Sequence, residues 1–279
     1  MTTRTAPLFL AFALSLSAVG CKDDKPTTNP DDATTTGDTG ATDPEPEPAG
    51  LPPQDPDPAE IAALYDRYLK GDYEAVASEA QSLAAGLTAD TQVRAHALAS
   101  ALQALAAVES LPEDGKAAAE SAVADAERLG DAEVEQLARV AHGAYLVRVH
   151  EAEAAQATLE KAVAAAGPYA GLAQLTLAEA LLNQAFGVGD EDTKIKNPAK
   201  LDEARAAYQA TVDGAEGILA AHAHEGLAAV AKYKGEKAEI CTHAQEAENI
   251  YAANGASDYI REVPSLLAGE AKCKFSKAE

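Results

Sequence analysis

Apolar and small residues recur every three or four positions from residue 59 onward. This is the spacing of one face of an α-helix and differs from the alternation of a β-strand. Short segments containing Gly, Pro or clustered charge interrupt the pattern and mark helix ends. The segment is predicted to hold ten or eleven helices. Clear breaks lie at 70–72, 111–115, 130–131, 167–168, 187–198, 234–235 and 254–255, and His150-Glu151 marks a further turn between helices. The pattern therefore predicts an all-α domain over residues 59–279.

A short motif repeats in five of these predicted helices. An apolar residue is followed four positions later by a second apolar residue, and three positions after that by an apolar or small one. The first residues of successive copies are 43, 36, 49 and 36 positions apart. We expect these residues to pack successive helices against one another; they are Val76, Ala80, Leu83, Ala119, Val123, Ala126, Ala155, Leu159, Ala162, Ala204, Tyr208, Thr211, Ile240, Ala244 and Ala247.

This motif resembles the second helix of the tetratricopeptide repeat (TPR), a helical hairpin of about 34 residues. The third copy is the most similar, since Gly143 takes the small position of the preceding helix and Leu146 the next core position. The turn Gly71-Asp72-Tyr73 also resembles the family's turn between helices, although the usual Trp is absent. The resemblance covers residues 59–255. It implies a superhelical solenoid of about five TPR-like hairpins plus a C-terminal capping helix, with a concave binding side.

The first 20 residues have the pattern of an export signal. Arg4 precedes a 14-residue apolar run, Ala6–Val19, which is shorter than the roughly 20 residues of a membrane-spanning helix. The run ends in Ala18-Val19-Gly20-Cys21, which resembles the bacterial lipobox. The resemblance implies cleavage before Cys21, attachment of lipid (palmitate) to it, and a bacterial cell-envelope location, with Lys22 favouring the outer over the inner membrane. Cleavage at the same bond by ordinary signal peptidase is the alternative.

Residues 21–58 have the composition of a spacer. The segment 22–58 holds nine of the chain's 14 prolines, seven threonines, and ten acidic residues against two lysines. Its one large hydrophobic residue is Leu51, so it cannot bury enough apolar surface to offset the entropy of ordering its backbone. We predict a disordered acidic tether between the signal peptide, residues 1–20, and the helical domain.

The three cysteines suggest one disulfide. If Cys21 carries lipid, Cys241 and Cys273 remain as a pair in an oxidising compartment. Their midpoint, residue 257, lies in a predicted break between two helices. Helices folding back antiparallel about that point would bring the two side chains face to face. A disulfide is therefore predicted, and two buried free thiols are the alternative.

The chain is strongly acidic, with 22 Lys+Arg against 45 Asp+Glu and a net charge of −23. This balance excludes a general nucleic-acid-binding role, which needs a basic surface. The helical domain keeps 35 acidic against 19 basic residues. Such a field disfavours anionic partners and steers basic ones toward the domain, so we predict that the concave side binds a basic or neutral protein segment, more weakly as salt rises. Solubility alone is the alternative explanation of the acidity.

Candidate chemistry is sparse in the sequence. His222 and His224 point about 200° apart on a helix, so they cannot face one metal ion. The sequence contains no HExxH motif, no phosphate-binding Gly-rich loop and no GxSxG elbow. We therefore expect no enzymatic activity, no metal and no cofactor. Most tyrosines are expected to serve packing, and the remainder to contact a partner; they include Tyr65, Tyr68, Tyr73, Tyr145, Tyr208, Tyr233 and Tyr251.

Together these features predict a membrane-anchored envelope lipoprotein that acts as a non-catalytic scaffold. The TPR-like solenoid would hold another envelope protein or peptide near the membrane. The alternative is a periplasmic accessory subunit that binds a small ligand for a transporter. That alternative requires a closed pocket within the helical domain.

Overall fold

The computed structural model of the protein describes residues 51–109, 112–186 and 194–277. These residues form eleven α-helices and a 3-10 turn at Asp90–Gln92, and they contain no β-strand, which confirms the all-α prediction within this part of the chain. The helices are α1 (Ala59–Leu69), α2 (Tyr73–Gly86), α3 (Val93–Ala107), α4 (Pro112–Leu129), α5 (Ala132–Arg148), α6 (Ala152–Ala164), α7 (Ala170–Gln184), α8 (Pro198–Gly214), α9 (Ile218–Lys234), α10 (Lys237–Ala253) and α11 (Asp258–Glu270).

Three predicted features lie outside the described residues. They are the signal peptide, the lipidation site Cys21, and the tether up to residue 50. Within the described ranges, no helix is both long enough and apolar enough to span a bilayer.

The helix boundaries differ from the predicted ones at three places. The break predicted at 111–115 ends earlier, because α4 already begins at Pro112, where proline suits the first helical position. Gly115 lies inside α4; a Cβ there would sit 2.9 Å from Val108 Cγ1, so this glycine permits a close approach and marks no helix end. The breaks at 87–92 and 215–217 were not predicted, since the first holds no Gly or Pro and the second a single Gly.

The helices pack in an alternating order. Each odd-numbered helix contacts the next odd-numbered helix, and each even-numbered helix packs against the helices before and after it. Twelve of the 15 residues of α3 are buried, whereas only four of the 13 residues of α6 are. We call α3, α5, α7 and α9 the central row, since the other helices cover them.

The repeated motif lies on the even-numbered helices and faces the central row. Thirteen of its 15 residues are buried, and Leu83 and Val123 are half-buried. Small residues allow the helices to approach closely: a Cβ on Gly143 of α5 would lie 2.5 Å from Leu159 Cγ of α6. Leu159 therefore occupies the space that a side chain at position 143 would need.

The first hairpin reaches the last helix of the domain. The backbone N–H of Ser257 donates to the carbonyl oxygen of Lys70 at 2.9 Å. A Cβ added at Gly71, whose φ is +85°, would lie 2.7 Å from Ile260 Cγ2. These contacts join the turn between α1 and α2 to the start of α11, so the two ends of the helical domain touch.

The last helix is fixed to α10 by a covalent and an ionic contact. A disulfide joins Cys241 and Cys273, whose Cα atoms are 5.5 Å apart. The Arg261 guanidinium donates to Glu248 Oε1 at 2.7 Å, and the Glu248 side chain is fully buried. Both contacts hold the C-terminal segment against the stack.

Candidate functional site

Two adjoining cavities lie along the central row: the larger is lined by α5, α7, α8 and α9, and the smaller lies between the central row and the first hairpin. Their volumes are about 80 Å³ and about 30 Å³. Four residues line both of them: Val147, Arg148, Glu179 and His222. One water needs roughly 10–15 Å³ on this measure, so the larger cavity has room for several waters or a small organic molecule.

Helices distant in sequence supply the lining. The first hairpin contributes Tyr68, Leu69 and Tyr73 to the smaller cavity, and α8 contributes Tyr208 to the larger one. The central row and the residue that follows α3 supply the charged groups. These groups are Glu109 just after α3, Arg148 of α5, Glu179 of α7, and His222 and Glu225 of α9.

Glu179 borders both cavities and is the only charged residue of α7. Its side-chain carboxylate makes no hydrogen bond to protein within residues 51–109, 112–186 and 194–277, although it is largely enclosed. Burial, reinforced by the nearby carboxylate of Glu109, raises the pKa of Glu179 to about 7. This carboxyl group therefore gains and loses its proton near neutral pH.

Arg148 and Glu109 form an ion pair at the wall of the smaller cavity. Proximity to Glu109 raises the pKa of the Arg148 guanidinium, which stays charged. The pair is enclosed, since the Glu109 side chain is only 8% exposed. Arg148 therefore neutralises one of the three acidic side chains around the cavities.

His222, Tyr251 and Glu225 form a hydrogen-bonded chain that ends on α1. His222 Nε2 lies 3.2 Å from the carbonyl oxygen of Leu69. The Tyr251 hydroxyl lies 2.7 Å from His222 Nδ1 and 3.0 Å from Glu225 Oε2. The chain thus connects α9 and α10 with the last residue of α1.

The directions of these hydrogen bonds follow if His222, Tyr251 and Glu225 are all uncharged. Burial lowers the pKa of His222 to about 4, so its imidazole is neutral at pH 7. A carbonyl can only accept, so Nε2–H donates to Leu69, and Nδ1 accepts from the Tyr251 hydroxyl. With its one hydrogen directed at His222, the Tyr251 oxygen accepts a hydrogen bond from the carboxylic O–H of protonated Glu225; when Glu225 is ionised, the hydroxyl donates to Oε2 instead. Burial, followed by repulsion from Glu179, raises the pKa of Glu225 to about 8 and keeps that proton in place.

Aromatic side chains form the other wall of the larger cavity. The ring centroids of Phe186 and Tyr233 are 4.5 Å apart, and Tyr208 lies alongside them. Tyr208 is placed by Gly226 of α9, since a Cβ there would collide with the Tyr208 ring. The repeated-motif residue Tyr208 therefore packs the helices and also borders the cavity.

The remaining histidines named from the sequence do not join this site. His224 points away from His222, and its Nδ1 lies 3.0 Å from His243 Nδ1 of α10. Burial and the neighbouring His243 lower the pKa of His224. In the part of the chain that the structure describes, no three His, Cys, Asp or Glu side chains are arranged to hold a metal ion.

Comparison of the chain with protein-family models, curated proteins and solved structures finds no match. The function is therefore inferred from the cavity itself.

The acidic groups of the cavity were not identified from the sequence. A usable signal existed, because Glu179 and Glu225 are the only acidic residues within the long apolar helices α7 and α9. An isolated carboxylate on a buried helix is costly unless it has a partner. The sequence could not show that the two helices turn these residues toward a common space.

Proposed function

We propose that this protein is a lipid-anchored envelope protein that binds a small ligand, without catalysis, in the two adjoining cavities along the central row. The carboxylate of Glu179 carries this proposal. It is half-buried, lines both cavities and has no hydrogen-bond partner from the described protein, so only water in the cavities can solvate it. A ligand that donates a hydrogen bond to this carboxylate would take the place of that water.

The packing order supports a TPR-like solenoid as the frame of this site. Five hairpins, α1/α2 to α9/α10, would stack with α11 as the cap, in agreement with contacts between successive odd-numbered helices. The central row would then form the concave side of the superhelix. Small residues such as Gly143 favour this interpretation, since they let the two helices of a hairpin approach.

The position of α1 favours a small ligand over the peptide scaffold predicted from the sequence. Tyr65 of α1 packs edge-on against Tyr169 at the start of α7, with ring centroids 5.3 Å apart. Leu69 contacts His222 of α9. The first helix therefore lies across the face on which a solenoid would bind a peptide. A basic or neutral protein partner would instead have to use the outer, even-numbered helices.

Native mass spectrometry tests the proposal. The mature chain carrying Cys21→Ser is exported in its own host, purified without denaturation and weighed with and without its bound small molecule. Ala229→Leu fills the larger cavity, which Ala229 lines, and Ala85→Leu makes the same change on an exposed residue as the control. We expect an adduct with the parent and the control but not with Ala229→Leu. An adduct retained by Ala229→Leu would contradict binding in this cavity.

The anchor has a separate test. Cys21→Ser should abolish membrane fractionation and release a mature soluble chain, because a lipid adds about 0.8 kcal/mol per buried CH₂ and several acyl chains hold firmly. If the substituted protein still sediments with membranes in high salt, lipid at Cys21 is not the anchor.

A further inference from the structure

The cavities carry an excess of acidic groups. Arg148 is paired with Glu109, and among the described lining residues no second Lys or Arg is present to neutralise Glu179 and Glu225. An anion would meet two carboxyl groups in a poorly solvated space. A single positive charge would instead balance Glu179 while Glu225 keeps its proton.

The unpaired acceptors suit a donor with several N–H groups. Glu225 is 7% exposed, and its Oε2 is bonded to Tyr251, while its Oε1 has no protein hydrogen bond in the described part of the chain. Asn183 also lines the larger cavity; its Nδ2 donates to the Glu179 backbone carbonyl at 3.2 Å, which leaves Oδ1 as an acceptor. An ammonium group carries three N–H donors and no acceptor.

The aromatic wall matches the same ligand. The faces of aromatic rings attract cations, and Phe186, Tyr208 and Tyr233 line the cavity that Glu179 and Glu225 border. A cavity of about 80 Å³ is far smaller than the roughly 300 Å³ or more of drug-sized ligand sites. The space therefore limits the ligand to a few non-hydrogen atoms.

We propose that the ligand is a small primary amine in its ammonium form, an inference that rests on the ligand cavity proposed above. Its nitrogen would donate to the Glu179 carboxylate, and its alkyl part would pack against Phe186, Tyr208 and Tyr233. Glu225 Oε1 and Asn183 Oδ1 supply further acceptors. The pair formed by Arg148 and Glu109 stays intact and excludes anions.

This arrangement links binding to proton release. Several titratable or charged groups face the same space as Glu179 from the neighbouring elements; they are Glu109, Arg148, His222, Glu225, Tyr68 and Tyr208, and His222 stays neutral between pH 6 and pH 8. With a pKa of about 7, Glu179 is mostly protonated at pH 6 and must release that proton to pair with the ammonium. Linkage then predicts an affinity about tenfold higher at pH 8 than at pH 6.

Titration calorimetry on the mature Cys21→Ser chain tests the proposal. The probes are ethylammonium chloride, neutral ethanol, propionate, and tetramethylammonium, which has the charge but no N–H donor. Buffers of different ionisation enthalpy report the proton released at pH 6. Glu179→Gln removes the charge at nearly constant volume, and Glu216→Gln makes the same change on an exposed residue.

Ethylammonium should bind the parent and Glu216→Gln equally, with release of close to one proton at pH 6. Glu179→Gln should weaken binding at least tenfold and abolish both the proton release and the pH dependence. If ethanol or propionate binds and Ala229→Leu removes that binding, while ethylammonium does not bind, the ligand is not an amine but the cavity is still a ligand site. Equal binding of ethylammonium and tetramethylammonium would also overturn recognition of the N–H donors. No heat from any probe would contradict the cavity as well as the amine.

Discussion

The carbonyl oxygen of Leu69 and Nε2 of His222 lie 3.2 Å apart, although 153 positions separate them in the chain. This hydrogen bond joins the end of α1 to the middle of α9. The same imidazole accepts from the Tyr251 hydroxyl through Nδ1. One neutral histidine thus holds the first helix over the cavity and links it to the buried carboxyl group of Glu225.

Replacing His222 with leucine should loosen this closure. His222→Leu leaves the Leu69 carbonyl and the Tyr251 hydroxyl without that partner, at a cost of about 1–3 kcal/mol in the free energy of unfolding. His142→Leu changes a half-buried histidine of α5 and should alter stability by no more than about 0.5 kcal/mol. Urea denaturation at pH 7 measures both. Equal stability of the two variants would contradict a structural role of the His222 bonds.

The contact between the two ends of the domain rests on Gly71. Gly71→Ala places a methyl group in a left-handed backbone and against Ile260, so it should cost more than the backbone strain alone. Gly130 also has a positive φ, of +62°, but open space around its Cβ position, which makes Gly130→Ala the matched control. Gly130→Ala should lower the free energy of unfolding by about 1–2 kcal/mol, and Gly71→Ala should lower it by about 1–3 kcal/mol more than that. Thermal unfolding of the two variants would show this difference, and equal losses would argue against close packing at Gly71.

Stability should depend on pH through the buried carboxyl groups. The folded chain holds protons on Glu225 and Glu179 up to pKa values of about 8 and 7, whereas the unfolded chain releases them near 4.5. The folded state therefore binds more protons between these values, and stability falls as the pH rises from about 4.5 to 8. His222 has the opposite effect at lower pH. Its pKa of about 4 in the folded protein lies below the usual 6.5, so the stability that it contributes is lost as the pH falls from 6.5 to 4.

Glu225→Gln separates these effects. The glutamine amide can donate to the Tyr251 oxygen as the protonated acid does, but it does not titrate. Denaturation at a series of pH values should show that the fall in stability of the parent between pH 5 and pH 8 is reduced in Glu225→Gln. An unchanged slope would mean that Glu225 is already ionised in the folded protein.

Part of the fold can be predicted from the sequence and part cannot. The 3.6-residue period predicts the helices, and the repeated motif identifies their buried stripes, because residues such as Ala80 and Ala155 sit on the face toward the central row. The closure of the domain has no such local signal. It depends on a backbone carbonyl at Leu69 and on the contact of Gly71 with Ile260 of α11, which join residues more than 150 positions apart in the chain. For the same reason the meeting of Glu179 with Glu225 could not be foreseen.

The disulfide in the purified protein has a direct test. Cys241 and Cys273 are 32 positions apart, and a closed loop of this length contributes on the order of 3–4 kcal/mol in the chain-entropy model. The double variant Cys241→Ala/Cys273→Ala should lose stability by about that amount, and a reductant should affect only the parent. Non-reducing mass analysis of exported protein that shows two free thiols would contradict the pairing.

A crystal structure of the mature Cys21→Ser chain grown with ethylammonium chloride tests the central claim most directly. The expected result is electron density for the probe in the larger cavity, lined by α5, α7, α8 and α9, with its nitrogen about 2.7–3.2 Å from a carboxylate oxygen of Glu179. Water alone in that space, or Arg148 turned from Glu109 onto Glu179 so that no room remains, would contradict a ligand site in this cavity.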